Sequence, residues 1–222
     1  MRCEREAAPR KPQPTVSGSD ARRRSPMDSK PLRLIAAADE ALGIGRSGRL
    51  PWELPNEFSW FVSQVDAVSD PSKKNLLIWG RGSAVSDSRP LPHCYRVCLS
   101  TTLSSVPAGT DFLCRDLASA VQLASLPPLS DHIETIWVLG GTRPFQEALR
   151  YPNCDRIYLT NIMANFHCDT FFPDFDQDIF QLQDKFPGVP SEIQEENGIQ
   201  YKFQVFQKVP SNDPEPRLQY AA

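Results

Sequence analysis

No apolar run in this 222-residue sequence approaches the roughly 20 residues that a membrane-spanning helix needs. The six cysteines (Cys3, Cys94, Cys98, Cys114, Cys154 and Cys168) include no C-x-x-C pair. They read as free thiols of a reducing compartment rather than a disulfide framework. Cys94 and Cys98 with His93 lack the paired spacing of zinc sites, so no metal is expected. Positive charge is also short: the net charge is −3, which leaves no general polycation to hold nucleic acid. Neither an internal repeat nor a linker interrupts residues 32–209, so we read one domain there.

Residues 1–26 differ from the rest. They carry seven arginines and lysines against three acidic residues, a net charge of +4 beside −7 for the remainder. Apolar periodicity is absent, and the stretch up to about residue 30 reads as a disordered basic extension. An organelle-targeting peptide is the alternative; its three acidic residues oppose it. Met27 offers an alternative start. The final "PSNDPEPRLQYAA" (210–222) reads as a loose tail, which bounds the domain at 31–209.

Within those bounds, apolar runs alternate with amphipathic stretches. "LRLIAAA" (32–38), "NLLIWG" (75–80), "YRVCLS" (95–100), "ETIWVLGG" (134–141) and "DRIYLTNI" (155–162) read as buried strands. "PNEFSWFVSQV" (55–65) places Phe58, Phe61, Val62 and Val65 at helical spacing behind Pro55. "DLASAVQLA" (116–124) is a second helix and "TRPFQEALR" (142–150) a third, with Thr142 expected as its N-cap. "GIQYKFQVFQK" (198–208) alternates as an antiparallel strand. The sum is an α/β fold with a largely parallel sheet, closed by antiparallel strands at the C-terminus.

"GIGRSG" (43–48) matches the G-x-G-x-x-G dinucleotide pattern letter for letter. A true fingerprint opens a helix whose N-terminus receives the pyrophosphate. Here "RLPWELP" follows, and Pro51 and Pro55 exclude a helix starting in the glycine segment. The three glycines therefore lie in an extended loop between Asp39 and Leu50. A better phosphate site is "WVLGGTRPF", where Gly140-Gly141 end a strand and begin a helix; glycine there lets a ligand approach the backbone. A tight strand–helix turn without a ligand is the alternative.

Glu57 falls one residue before Phe58 and four before Phe61, close to the apolar face of its helix. An exposed first-turn glutamate, favoured by the helix dipole, is one reading. The other is a desolvated acid beside an aromatic pocket, with a raised pKa suited to proton supply.

Together, "GIGRSGRLPW", "LPNEF", "WVLGGT", "LTNI", "DTFFPDFD" and "FPGVPSEIQEENGIQYKFQVFQK" resemble dihydrofolate reductase in content and order over about residues 32–209. The last segment is similar to vertebrate enzymes, while the five-residue step from Trp52 to Glu57 is the shorter bacterial one. The resemblance implies a single-domain fold with an eight-stranded sheet and flanking helices. It also implies NADPH as cofactor and reduction of 7,8-dihydrofolate, or another small dihydropterin, to the tetrahydro form. We expect a cytoplasmic monomer.

Carried over by resemblance, Glu57 grips the pterin and assists its protonation, and Thr160 bonds that carboxylate. Trp52 donates its indole N–H through water, and Leu50 closes the loop over the nicotinamide. Ile35, Phe58, Phe61, Leu91 and Leu139 wall the pterin pocket. Ala37, Ile44, Gly45 and Gly48 meet the nicotinamide and ribose; Gly140, Gly141, Thr142 and Arg143 hold the pyrophosphate. Arg81, Gly82 and Ser83 lie at a second helix start, with Ser100, Thr101 and Arg115 near the 2′-phosphate; an arginine there favours NADPH over NADH.

The middle of the chain departs from the family pattern. Gly82 replaces a basic residue, three residues are missing between Gly80 and "RPL", and Phe145 lacks the family tyrosine's hydroxyl. Thr101 stands for an arginine, and Cys94 for the arginine that grips the glutamate tail of folate. A bidentate arginine–carboxylate pair contributes roughly 2–3 kcal/mol, so its loss weakens folate binding on the order of 30–150-fold. Arg96, two residues on and on the same strand face, is one rescue; Arg89 or His93 at the rim is another. Otherwise the substrate is a tail-less pterin such as dihydrobiopterin. A His93–Cys94 nucleophile has no orienting acid evident in the sequence. A non-catalytic ligand- or RNA-binding relative is the remaining reading.

Overall fold

The run Leu32–Ala38 forms the first strand, β1, of the computed structural model, which describes residues 30–83 and 91–210. In chain order there follow β2 (Gly43–Gly45), α1 (Pro55–Asp66), β3 (Lys74–Gly80), β4 (Cys94–Leu99), β5 (Phe112–Cys114), α2 (Leu117–Ser125), β6 (Ile133–Gly140), α3 (Thr142–Ala148), β7 (Cys154–Ile162), β8 (Thr170–Phe171), β9 (Phe180–Leu182), β10 (Gln194–Glu196) and β11 (Ile199–Lys208).

Side chains along a strand alternate between faces, and the central strands bury both. Leu34, Leu76, Ile78, Ile136 and Val138 join one core cluster with α2 and α3. Ile35, Leu77, Trp79 and Trp137 join another with Val65 of α1. Double burial is why these strands read as continuous apolar runs. Eight strands follow the order β10-β11-β7-β1-β6-β3-β4-β5, with the short β9 also paired to β11. β1, β3, β4, β5, β6 and β7 are parallel. β11 runs antiparallel to β7, β9 and β10. The fold is thus the mostly parallel α/β sheet, antiparallel at its C-terminal edge, that the pattern predicts.

Several elements escape the pattern. β2, β5, β8, β9 and β10 are two or three residues long, too short to show a period, and exist because a neighbouring strand pairs with them. Residues 43–49 are more ordered than an extended loop. β2 pairs with β8, and Arg46 and Arg49 exchange both backbone hydrogen bonds across Ser47 (φ 51°) and Gly48 (φ 74°). Two positive φ values make this a tight hairpin tip, for which glycine suits the second position. Thr142 is not the N-cap of α3: Gly141 occupies that position, and Thr142 Oγ1 donates to the Phe171 carbonyl at 2.6 Å. The second helix start at Arg81–Ser83 is a three-residue 3-10 turn; the shortened loop beyond it, Arg89 included, lies outside the described residues. No described helix is long and apolar enough to cross a membrane.

Candidate active site

Parallel strands present their carboxyl ends to one edge of the sheet, where α/β proteins bind ligands. A cavity of about 750 Å3 opens there, within the range of small-molecule sites. Ile35, Ala36 and Ala37 line it from β1 and Leu139 from β6. α1 contributes Glu57, Phe58 and Phe61, and the loop after β1 contributes Ile44, Gly45, Gly48, Arg49 and Leu50. Gly82, Ser83, Gly140, Gly141, Phe145 and Thr170 complete the lining.

Among the described residues, Glu57 is the one carboxylic acid in this lining, and only 5% of it is exposed. The Thr160 hydroxyl, fully buried in β7, donates to its Oε1 at 2.7 Å. Burial pushes the Glu57 carboxyl up to about 7; the Thr160 bond pulls it down, and the Glu196 carboxylate pushes it up again. The acid therefore changes protonation near neutral pH, where a proton donor is most useful. Trp52 is buried nearby in the chain, edge-on to Phe166 at 5.3 Å, and its Nε1 has no acceptor among the described protein atoms.

Asp39, which sequence reasoning did not single out, fixes the loop to the sheet. Its buried carboxylate accepts from Ala41 N (3.0 Å), Gly43 N (2.7 Å) and Phe166 N (3.0 Å). Burial pushes Asp39 up, but the N–H groups of Phe166, Gly43 and Ala41 outweigh it and hold the acid below the usual carboxylate range. Further out, Ser47 N donates to Asp169 Oδ2 at 2.8 Å and Asp169 N to the Gly45 carbonyl at 3.0 Å. Arg49 was missed too: this exposed basic residue lines the cavity one residue before Leu50. The signal for Asp39 was its position, the first polar residue after a buried strand; nothing local marked Arg49.

At the other end, Gly140 has φ 132°, where side chains are strained, and a Cβ on Gly141 would come within 2.9 Å of Ser83 Oγ. These glycines keep a backbone cradle open between β6 and the Arg81–Ser83 turn. Gly80 pairs with Leu99 and Leu99 with Cys114, so Arg81, Ser100 and Arg115 follow the ends of three adjacent parallel strands. Arg115 Nη1 donates to the carbonyls of Ser100 (3.1 Å) and Leu103 (2.8 Å). The Ser100 hydroxyl instead accepts from Thr102 N and Leu103 N, while Thr101 is exposed. Arg143 is exposed and pairs with Glu147 at 2.8 Å.

Three of the expected substrate contacts lie outside the cavity lining. Cys94 is buried against the end of α1, with Sγ 3.3 Å from the Val65 carbonyl and 3.4 Å from Asp66 Oδ1. Leu91 packs on the same cluster. Arg96 is engaged elsewhere: Nη1 reaches the Gly109 carbonyl at 3.4 Å and its backbone N–H donates to Asp111 at 2.7 Å. Asp66 also accepts from His93 N and lies 3.3 Å from His93 Nδ1, so an acid does stand beside both residues. Burial and the Asp66 carboxylate push the Cys94 thiol well up, the opposite of an activated nucleophile.

A covered parallel sheet with one buried acid in a cavity at its carboxyl edge defines an α/β enzyme acting on a small molecule. The family model described as dihydrofolate reductase matches residues 31–208. The dihydrofolate reductase of Rattus norvegicus is 41% identical over 183 residues, covering 81% of this chain and 98% of that protein. The Gallus gallus enzyme of the same name is 38% identical, covering 80% of this chain and 96% of that one. The solved structure of Schistosoma mansoni dihydrofolate reductase superposes with a TM-score of 0.70 at 29% identity, covering 81% of this chain and 99% of its own. The chain belongs to the dihydrofolate reductase family of oxidoreductases.

Proposed function

We propose that this chain reduces 7,8-dihydrofolate to 5,6,7,8-tetrahydrofolate with NADPH. The observation that carries this reading is Glu57: a single buried acid, hydrogen-bonded by Thr160 and protonating near neutrality, in a cavity walled by Phe58 and Phe61. A planar heterocycle with adjacent donors suits the aromatic wall that these rings form, with its amino group and ring N–H directed at the Glu57 oxygens. Glu57 fixes the ring's orientation and holds a proton that the reduced ring nitrogen needs. Trp52, with its unpaired buried N–H, positions a water on that proton route.

The Gly140-Gly141 cradle suits a pyrophosphate, because a Cβ at either position would fill it or strain the backbone. Ala37, Ile44 and Gly45 share the cavity with Glu57 and would hold the nicotinamide beside the substrate. When bound, NADPH supplies the hydride. Arg81 and Arg115 at the ends of β3 and β5 favour a 2′-phosphate over a free ribose hydroxyl. Leu50, exposed on the loop, would cover the nicotinamide and exclude water.

A second reading moves the substrate to tail-less dihydropterins. Cys94 favours it: the side chain at this place is a thiol held by a carbonyl and a carboxylate, and is not itself a cation that could pair with an acidic tail. Steady-state NADPH oxidation separates the two. Comparable kcat/KM for dihydrofolate and dihydrobiopterin supports the second reading, a hundredfold preference for dihydrofolate supports the first, and no oxidation with either overturns both.

A further inference from the structure

Helix α1 begins without a cap of its own: Leu54 stands at the N-cap position and makes no side-chain hydrogen bond. The first turn of a helix leaves backbone N–H groups without intrahelical partners and carries the positive end of the helix dipole. Here a distant segment meets it. Both oxygens of Glu196 accept from Asn56 N, at 3.1 and 3.0 Å. Glu196 ends β10, opposite Ile199 of β11, and the turn between them is Asn197-Gly198, both at positive φ. Asn197 adds a second clasp, its Nδ2 donating to the Glu53 carbonyl at 2.9 Å. The hairpin thus grips residues 53–56, the segment that delivers Glu57 to the cavity.

We propose that Glu196 is a positioning residue for Glu57: it fixes the first turn of α1 and sets a negative charge against the Glu57 carboxyl, so that Glu57 keeps its proton to higher pH. Two effects act in the same direction. The Glu196 carboxylate repels an ionised Glu57, and it also neutralises the helix N-terminus that would otherwise favour ionisation. The sense of the Glu196 contribution to Glu57 agrees. The other groups facing Glu57 do not replace it. Thr160 from β7 pulls the opposite way, and Tyr201 of β11 is a buried phenol, itself pushed up by burial, Glu196 and Glu57. Arg49, exposed in the loop wall of the same cavity, is not among the groups that shift Glu57. Burial is the larger cause of the raised Glu57 carboxyl, and Glu196 is the charged neighbour that adds to it. Its role in turnover rests on the reductase reading above; its effect on the proton does not.

The test is Glu196→Gln in the full chain, which keeps an acceptor for Asn56 N and removes the charge. Infrared titration of the free protein, using the carboxyl band that disappears in Glu57→Gln, gives the Glu57 midpoint without any turnover. The expected midpoint falls on the order of one pH unit, as for loss of one neighbouring partly screened charge. Glu196→Asp, which keeps the charge, should stay within a few tenths of a unit of the unsubstituted protein. An unchanged midpoint in Glu196→Gln, or the same drop in Glu196→Asp, overturns the proposal. In turnover, the pH profile of kcat/KM should move down with the midpoint. Absence of turnover counts against the reductase reading and leaves the infrared result to decide on Glu196.

Discussion

The Thr160 hydroxyl donates to Glu57 Oε1 at 2.7 Å from a residue with no solvent exposure, so strand β7 and helix α1 are joined by a buried polar bond. Buried groups of this kind are costly to leave unpaired. The bond also occupies Glu57 Oε1 and favours the ionised acid.

Thr160→Val keeps the shape and removes the donor. Glu57 then titrates at higher pH and its carboxyl is less firmly oriented. The expected loss in kcat/KM for dihydrofolate is on the order of tenfold, the worth of one hydrogen bond to a charged group. The pH profile should shift upward, opposite to the Glu196→Gln shift. A tenfold loss with an unmoved profile would assign Thr160 to packing alone.

Glu57→Gln makes a stability prediction whose sign follows from proton linkage. In the folded protein Glu57 titrates at about 7, against an ordinary 4.5 for an unfolded chain. Between those values the folded state holds a proton that the unfolded state has lost, so stability falls as pH rises through the window. The total is about 3 kcal/mol, present in full below pH 4.5 and gone above pH 7. Glutamine does not titrate. Denaturant unfolding should therefore show Glu57→Gln gaining on the unsubstituted protein from pH 5 to pH 8, while activity drops by orders of magnitude.

Legibility in the sequence followed length and burial. The strands that form the sheet's centre were readable because both faces are buried, and α1 was readable because Phe61 and Val65 repeat behind Pro55. Glu57 stood out as an acid on an apolar helix face. What stayed hidden depends on partners distant in sequence: Glu196 reaches Asn56 across 140 positions, and Asp39 reaches Phe166 across 127. The outward commitments of Cys94 and Arg96 were equally hidden, because strand periodicity gives the face of a side chain and not its neighbours. The G-x-G-x-x-G match was decided by Pro51 and Pro55. The structure adds why its glycines are there, since Gly48 sits in the positive-φ tip of a hairpin and Gly43 lies against Cys168.

Gly141→Ala tests the cofactor cradle. The new Cβ would lie 2.9 Å from Ser83 Oγ, inside contact distance. The Ser83 hydroxyl ends a short, half-buried side chain that can rotate, so the fold survives and the cradle narrows. We expect the KM for NADPH to rise on the order of tenfold or more with little change in the KM for dihydrofolate. Equal rises in both would place the effect on the whole cavity.

Cys94→Arg tests the substrate's tail. Arginine at this position replaces the thiol with a cation, although Asp66 at 3.4 Å from the thiol competes for it. The KM for dihydrofolate should fall several-fold while kcat/KM for dihydrobiopterin stays level, because only the first carries a carboxylate to pair. Cys94→Ser, which adds no charge, should leave both unchanged. A gain shared by both substrates would point to repacking of α1 rather than to tail recognition.

Gly43 and Cys168 should prove energetically coupled. A Cβ at Gly43 would overlap Cys168 Cβ, and would come within 2.6 Å of its Sγ and 2.8 Å of Asp39 Oδ1. Overpacking of this kind costs about 1–3 kcal/mol. Because Asp39 anchors the loop through Gly43 N, the displacement also loosens the wall that carries Ile44 and Gly45. Gly43→Ala should therefore lower the unfolding midpoint and reduce kcat/KM together. Cys168→Gly removes the Cβ and Sγ conflicts and leaves that with Asp39. In a double-mutant cycle it should restore part of the loss, with a coupling energy above about 0.5 kcal/mol. Strict additivity would mean that the loop moves away from Cys168 at no cost.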